Sequence, residues 1–371
     1  MLDSLHIKNF RCFEDLTIPS LGRVNLIVGK NNSGKSTLLE AVSVFASKGR
    51  NLRDIMSARD ELTLPSEDEE FLLFMKVIFH GRNTPEENQE IYIGSKDSAK
   101  FLTIKSTLLL EQFEEVKYAG GGTINRKTLI PFTDRNIIDD NNIKFGFSIS
   151  DGNFSSLVDS LEYFRRSAPS WQRKDPAKLD TPVSQVPTNV KSSSEMATLW
   201  DDAVAKAYKK EIIKKLTIID ANIEDLDFIN INSRDRTAIA TLENSKLPIP
   251  LKSMGEGISR LLQFFLHAHQ AKNGYLLIDE FENGLHYSIQ EEVWEKLFKI
   301  AKELDIQVFA TTHSEDTVKA FCKISVADKE VNGKLISLGR SAAIADNGKI
   351  LADVYDEETL KILIQSGMEV R

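Results

Sequence analysis

The sequence predicts an α/β fold built on a mainly parallel sheet, and three stretches predict it. Val24-Asn25-Leu26-Ile27-Val28 is apolar and β-branched, stops at Gly29, and gives way to helical apolar spacing over residues 37–46. Two further apolar runs, residues 275–278 and 306–310, each lead into a helical pattern. Short runs with no polar alternation suit strands buried on both faces. Strands that alternate with helices suit a sheet with helices packed on it.

The elements follow in order. Leu5-His6-Ile7-Lys8-Asn9-Phe10 alternates apolar and polar residues like a half-buried strand, and residues 16–18 continue in that style. Residues 71–79 and 101–110 are expected strands, and Gly120-Gly121-Gly122 a flexible hairpin tip. From 148 to about 216 the pattern turns helical. It is interrupted at 167–191 by a stretch rich in Pro, Ser, Gln and Lys that is expected as a long loop. Residues 195–208 read as a helix with Leu199 and Trp200 on its apolar side. Residues 256–269 and 288–303 are expected helices, and Ser314 is a suitable N-cap for the next one. Asp346-Asn347-Gly348 signals a hairpin turn, and 356–364 a capped helix with Gly367 near its end. The expected organisation is a single head over residues 1–371 with an inserted, partly helical lobe. It divides into a β-rich lobe with a glycine loop (1–150), an inserted, mainly helical lobe (151–250) and an α/β lobe (251–371).

Composition narrows the class. The 371 residues are 41% hydrophobic and 27% charged, ordinary for a globular protein. A formal net charge of −8 gives no support to a protein that coats nucleic acid, though a local basic patch stays open. Two cysteines, Cys12 and Cys322, make neither a disulfide framework nor a metal cluster, and fit a reducing compartment. There is no basic-then-apolar leader and no run of ~18 apolar residues, so no membrane span is expected and the chain reads as cytoplasmic.

Four segments carry chemistry. Gly29-Lys30-Asn31-Asn32-Ser33-Gly34-Lys35-Ser36 fits the pattern G-x-x-x-x-G-K-[ST] between a strand and a helix. The glycines let the chain curl so that main-chain N–H groups point at phosphate oxygens, and the helix that follows turns its positive end to the same anion. Gly29, Asn31, Asn32, Ser33, Gly34, Lys35, Ser36 and Thr37 are thus expected to hold ATP. Lys35 would lie on the β- and γ-phosphates, and Ser36 would ligate Mg²⁺. Asp279 and Glu280 end an apolar strand, where adjacent carboxylates have no packing use. Asp279 suits the Mg²⁺ shell, and Glu280 suits the orientation or deprotonation of an attacking water. His313 ends another apolar strand, on the edge where open α/β sheets bind ligands, and could bond the γ-phosphate. Ser253-Met254-Gly255-Glu256-Gly257 opens a helix and offers a second anion site, which suggests one nucleotide gripped by two chains. Each segment alone has a plainer reading: a glycine turn, a strand end, a capping or core histidine, a capped helix after Pro248-Ile249-Pro250. Their occurrence together favours the nucleotide site.

Asn9-Phe10-Arg11-Cys12-Phe13 ahead of the phosphate loop resembles the start of RecF, SMC and OLD-type ATPases. Residues 253–257 resemble the ABC signature, Asp279-Glu280-Phe281-Glu282-Asn283-Gly284-Leu285-His286 the Walker B and D-loop, and Thr311-Thr312-His313-Ser314 the switch-histidine segment. The nearest likeness is to stand-alone bacterial AAA/ABC-type ATPases of defence loci, and it covers roughly residues 1–50 and 245–371. It implies a homodimer, or a larger assembly, that sandwiches ATP and Mg²⁺. Ser253, Gly255 and Gly257 would reach the opposite protomer's nucleotide, Asn283 and Gly284 would lie at the seam, and His313 would sense the γ-phosphate. Arg11 would either approach the nucleotide or stand as a surface cation. Gln185 is the candidate for the Q-loop glutamine beside the nucleotide and Mg²⁺. The signature lacks the Gly-Gly of transporters, which stands against transport. OLD proteins also carry a Toprim nuclease, yet only residues 314–371 follow His313, short of the ~100–150 that a typical domain needs. A nuclease or toxin under its control, in defence against phage, is therefore expected as a separate protein. The rival readings are a DNA-repair or chromosome-associated ATPase in the RecF or SMC manner, and a scaffold that binds ATP with little hydrolysis. A GTPase or small-molecule kinase is disfavoured, for no Asn-Lys-x-Asp segment reads guanine.

Overall fold

The computed structural model describes residues 1–59, 76–82, 89–96, 99–117, 123–131, 143–152, 155–159, 181–188, 193–232, 235–243, 245, 247–328, 330–346 and 348–366. The chain opens with β1 (Leu5–Phe10), β2 (Phe13–Ile18), β3 (Val24–Gly29), α1 (Lys35–Ala46) and α2 (Leu52–Ser57). Next come β4 (Glu90–Gly94), β5 (Phe101–Lys117), β6 (Thr123–Pro131), β7 (Ile143–Ser150) and β8 (Ser155–Asp159). The middle holds β9 (Val183–Val186), α3 (Ser193–Ala205), α4 (Lys209–Leu216), β10 (Ile223–Asn230), β11 (Arg236–Leu242) and β12 (Ile249–Pro250). The rest is α5 (Glu256–Gln270), β13 (Tyr275–Ile278), α6 (Gln290–Glu303), β14 (Gln307–Thr311), α7 (Glu315–Ala327), β15 (Gly333–Arg340), β16 (Ile350–Tyr355) and α8 (Glu357–Ser366).

The strands form three sheets. The central one has the order β16-β15-β3-β14-β13-β9, parallel throughout except for β16. An antiparallel sheet of order β2-β1-β4-β5-β7-β8, with β6 on β5, lies beside it, and β10-β11-β12 form a small third sheet. The apolar runs of the central strands follow from burial on both faces. Along β13, Leu276 and Ile278 join one core with α5 and α6, while Tyr275 and Leu277 join a second core with α1 and the antiparallel sheet. Helix α1 sits between the two sheets, which is why ten of its residues are buried.

One consequence fixes the site. β3, β9, β13 and β14 are parallel, so their carboxyl ends meet at one edge of the sheet. Those ends carry Gly29, Thr188, Asp279 and His313 respectively. Phe281, just past β13, stacks on Trp294 of α6 with centroids 3.9 Å apart, and Phe321 of α7 meets Trp294 edge-on at 5.1 Å. Each such pair adds about 0.5–1.5 kcal/mol beyond its buried area. The cluster roots the segment after β13 in the core.

The structure revises several expectations. Of the strand expected at 71–79, residues 76–78 are helical and Phe79 makes only an isolated bridge to Phe10; residues 71–75 lie outside the described residues. Gly120-Gly121-Gly122 also lie outside them, between the paired β5 and β6. The stretch expected to be helical from 148 holds β8 and β9, and the long loop expected at 167–191 contains β9, an edge strand of the central sheet. The inserted lobe expected to be mainly helical carries α3 and α4 together with five strands among its described residues. β15 and β16 pair as the antiparallel hairpin that the turn signal predicts. Asp356 caps α8 by accepting from the Thr359 N–H at 3.0 Å.

Candidate active site

The loop between β3 and α1 needs its glycines. Gly29 (φ 147°) and Gly34 (φ 94°) adopt backbone that side chains rarely tolerate. A Cβ on Gly29 would stand 2.4 Å from the Leu338 carbonyl oxygen, and one on Gly34 would stand 2.7 Å from the Phe13 ring. Asn32 adds a third positive φ, 60°. Asn31, Asn32 and Ser36 are exposed at the mouth, while Ser33 and Thr37 are buried. The Ser33 hydroxyl, 4% exposed as a residue, has no hydrogen-bond partner among the described residues. Lys35 is folded into the curl, where its Nζ donates to the Gly29 and Lys30 carbonyls at 2.8 and 3.1 Å. Burial pushes the Lys35 pKa down, and Asp279, Glu280 and Glu282 pull it back up. A glycine cradle, an unpartnered hydroxyl and a half-desolvated ammonium fit the phosphates of a nucleotide.

The two acids are held by their neighbours. Thr311 Oγ1 donates to Asp279 Oδ1 at 2.7 Å and accepts from the Glu280 N–H at 2.9 Å. Thr188 donates to Asp279 Oδ2 at 3.3 Å, and Ser36 to Asp279 Oδ1 at 3.4 Å. The glycine loop and the Asp279 carboxylate thus meet at the Ser36 hydroxyl, which was expected to ligate a cation. Among the described residues, no group of three or more His, Cys, Asp or Glu could hold a metal. A hydroxyl–carboxylate pair suits Mg²⁺, which keeps phosphate oxygens and water as its other ligands. Glu280 adopts φ 48°, a costly conformation for a side-chain-bearing residue, and Asn283 Nδ2 donates to its Oε2 at 2.7 Å. Glu282 accepts from Thr312 Oγ1 (2.7 Å) and from the His313 N–H (2.8 Å), joining the ends of β13 and β14. The His313 side chain is exposed and lines a cleft of about 270 Å³ with Gly29, Lys30 and Asn31.

The signature segment is placed differently. Ser253 lies in a short 3-10 turn, and Gly255 (φ 99°) caps α5 with open space around its would-be Cβ. A Cβ on Gly257 would stand 3.1 Å from the Gly284 carbonyl oxygen, so signature and D-loop of one chain are in contact. Arg11 is not a surface cation: its side chain is 7% exposed and its Nε lies 3.0 Å from Glu40 Oε2, while Arg59 holds the other oxygen at 2.6 Å. Gln185 is exposed on β9 opposite Leu277, and it is Thr188, three residues on, that reaches Asp279 from this segment. Thr188, Thr311 and Arg260 escaped the sequence reading. Thr311 sat inside the quoted Thr311-Thr312-His313 without a role. Arg260 sat within an apolar helix, where a lone arginine three residues past Gly257 was the only signal.

A family model described as "AAA domain, putative AbiEii toxin, Type IV TA system" matches residues 24–318, well over half of the chain. An ATP/GTP phosphatase of Helicobacter pylori is 24% identical over 345 residues, covering 86% of this chain and 87% of that protein. The OLD nuclease of Thermus scotoductus is 50% identical over 44 residues, which is 12% of this chain and only 8% of that protein. Among solved structures, an SMC head bound to the C-terminal winged-helix domain of ScpA superposes with a TM-score of 0.52 at 15% identity, over 96% of this chain and 98% of that one. The chain therefore belongs to the AAA-domain family that matches residues 24–318, and it is a P-loop ATPase of the RecF, SMC and OLD kind.

Proposed function

We propose that two copies of this chain close around two ATP molecules, hydrolyse them with Mg²⁺, and use the cycle as a switch on a separate effector. Lys35 and the loop amides hold the β- and γ-phosphates, and Ser36 with Asp279 ligates Mg²⁺, whose charge offsets the negative charge that builds on the phosphoryl oxygens. Glu280 takes hold of the water that attacks the γ-phosphorus, and His313 bonds the phosphoryl oxygens across the cleft. The observation that carries the hydrolytic reading is Glu280 itself: it stands beside the Walker B acid with its amide and carboxylate both fixed. The paired arrangement is supported by Gly255, an open helix start. On this reading residues 253–257 face the nucleotide of the opposite copy, and each chain supplies one half of the site. The family description names a toxin of a toxin–antitoxin system, which supports a role in such a system; the separate effector follows from the resemblance to stand-alone ATPases of defence loci.

The test is ATP turnover measured beside mass in solution. Glu280→Gln should cut turnover about 100-fold or more while ATP still binds and drives a stable pair. Turnover like wild type, with mass indifferent to ATP, would reject both the catalytic assignment and the pair.

A further inference from the structure

Arg260 is 1% exposed, the most buried lysine or arginine among the described residues. Its charge has no ion-pair partner among them. Its Nη donors go instead to three main-chain carbonyls, Nη1 to Pro187, and Nη2 to Asp279 (2.9 Å) and Glu280 (3.1 Å), while Nε is buried without a partner among the described residues. The guanidinium also lies over the Phe264 ring, 4.9 Å from its centroid. A fully desolvated cation is an expensive way to satisfy three carbonyls. Burial lowers its pKa to about 10, with Asp279, Glu280 and Glu282 pulling the other way, so it stays charged at neutral pH.

What the three carbonyls have in common is the site. Pro187 precedes Thr188, which bonds Asp279; the other two belong to the Walker B acid and to Glu280. Glu280 holds a positive φ, which persists only where surroundings enforce it. Thr311 grips its amide, Asn283 its carboxylate and Arg260 its carbonyl. Arg260 also rides on the first turns of α5. A Cβ on Gly284 would lie 3.6 Å from the Arg260 Cβ, and Gly257, one turn earlier, backs onto the Gly284 carbonyl. The helix that starts at the signature is thereby bolted to residues 279–284.

We propose that Arg260 is a positioning residue for hydrolysis: it sets the main chain of Asp279 and Glu280, and so ties the aim of the Glu280 carboxylate to the seating of the signature helix. The inference rests on the reading of Glu280 as the group that handles the attacking water. It predicts a defect in turnover, not in nucleotide capture, because Arg260 touches neither the loop nor Lys35 in any described contact.

The test compares Arg260→Met and Arg260→Lys with wild type, following ATP turnover against ATP concentration, binding of a fluorescent ATP analogue and thermal melting. Arg260→Met should lower kcat about 10- to 100-fold with KM and analogue affinity within about threefold of wild type, since small errors of aim cost rate and not binding. Arg260→Lys keeps the charge but cannot span three carbonyls, so its kcat should fall less. If Arg260→Met does not fold, the lysine variant decides: reduced kcat at unchanged affinity supports the inference. Wild-type kcat in the lysine variant, or equal losses of kcat and affinity, would leave Arg260 a purely structural residue and overturn it. Glu280→Gln is run alongside, and full turnover there would remove the premise itself rather than the role of Arg260 in the fold.

Discussion

At the scale of single residues, hydroxyls settle how the acids are held. Thr311 alone accepts from Glu280 and donates to Asp279, so one side chain fixes both carboxylate-bearing residues at the strand tip. A titration prediction belongs here too. His269 is buried and stacked on Tyr208 with centroids 4.0 Å apart. Burial lowers its pKa from 6.5 to about 4; Glu211 opposes the fall, and Lys215, Lys272 and Lys206 add to it. The folded-state value is the lower one, so protonation favours the unfolded chain. The stability tied to neutral His269 is complete above pH 6.5 and is lost as pH falls toward 4. Urea midpoints measured across that window should fall less steeply for His269→Phe, which keeps the ring stack and removes the titrating group. An unchanged slope would assign the acid sensitivity to other groups.

At the scale of elements, what the sequence made legible followed local rules. β3, β13 and β14 announced themselves because they are buried on both faces, and α5, α6 and α7 because their apolar residues recur at helical spacing. β9 did not. Its four residues include an exposed Gln185 within a polar stretch, and they become a strand only by pairing with β13. Edge pairing is a tertiary decision that no window of sequence contains. The same holds for the bond of Thr188 to Asp279 and for that of Arg260 to the Pro187 carbonyl, which exist only once β9 lies beside β13. Capping, by contrast, is local and was readable. The Ser314 side chain accepts from the Thr317 N–H at 3.4 Å at the start of α7. Ser314→Ala should cost about 1 kcal/mol, seen as a lower urea midpoint with an unchanged slope.

At the scale of the whole molecule, the candidate groups of one chain lie on one sheet edge, and residues 253–257 lead into α5, with open space around a would-be Cβ on Gly255. Ser253→Arg separates capture from closure. The variant should bind nucleotide like wild type, remain single in solution with ATP, and turn over about 10- to 100-fold more slowly. Full turnover without association would mean that one chain suffices. No described helix is long and apolar enough to cross a membrane.

The place of β3 in the sheet carries a consequence for the order in which the protein can be made. Residues 24–29 lie between β14 and β15, with Ile27 opposite Thr311 on one side and Ile336 on the other. The strand that leads into the phosphate loop is translated well before both of its neighbours, residues 307–311 and 333–340. Contacts that span so much chain form slowly, and an unpaired apolar strand must wait for them. A nascent chain released before residue 340 should therefore fail to retain ATP although every residue of the loop is already present. The nucleotide site matures only once β14 and β15 have been made.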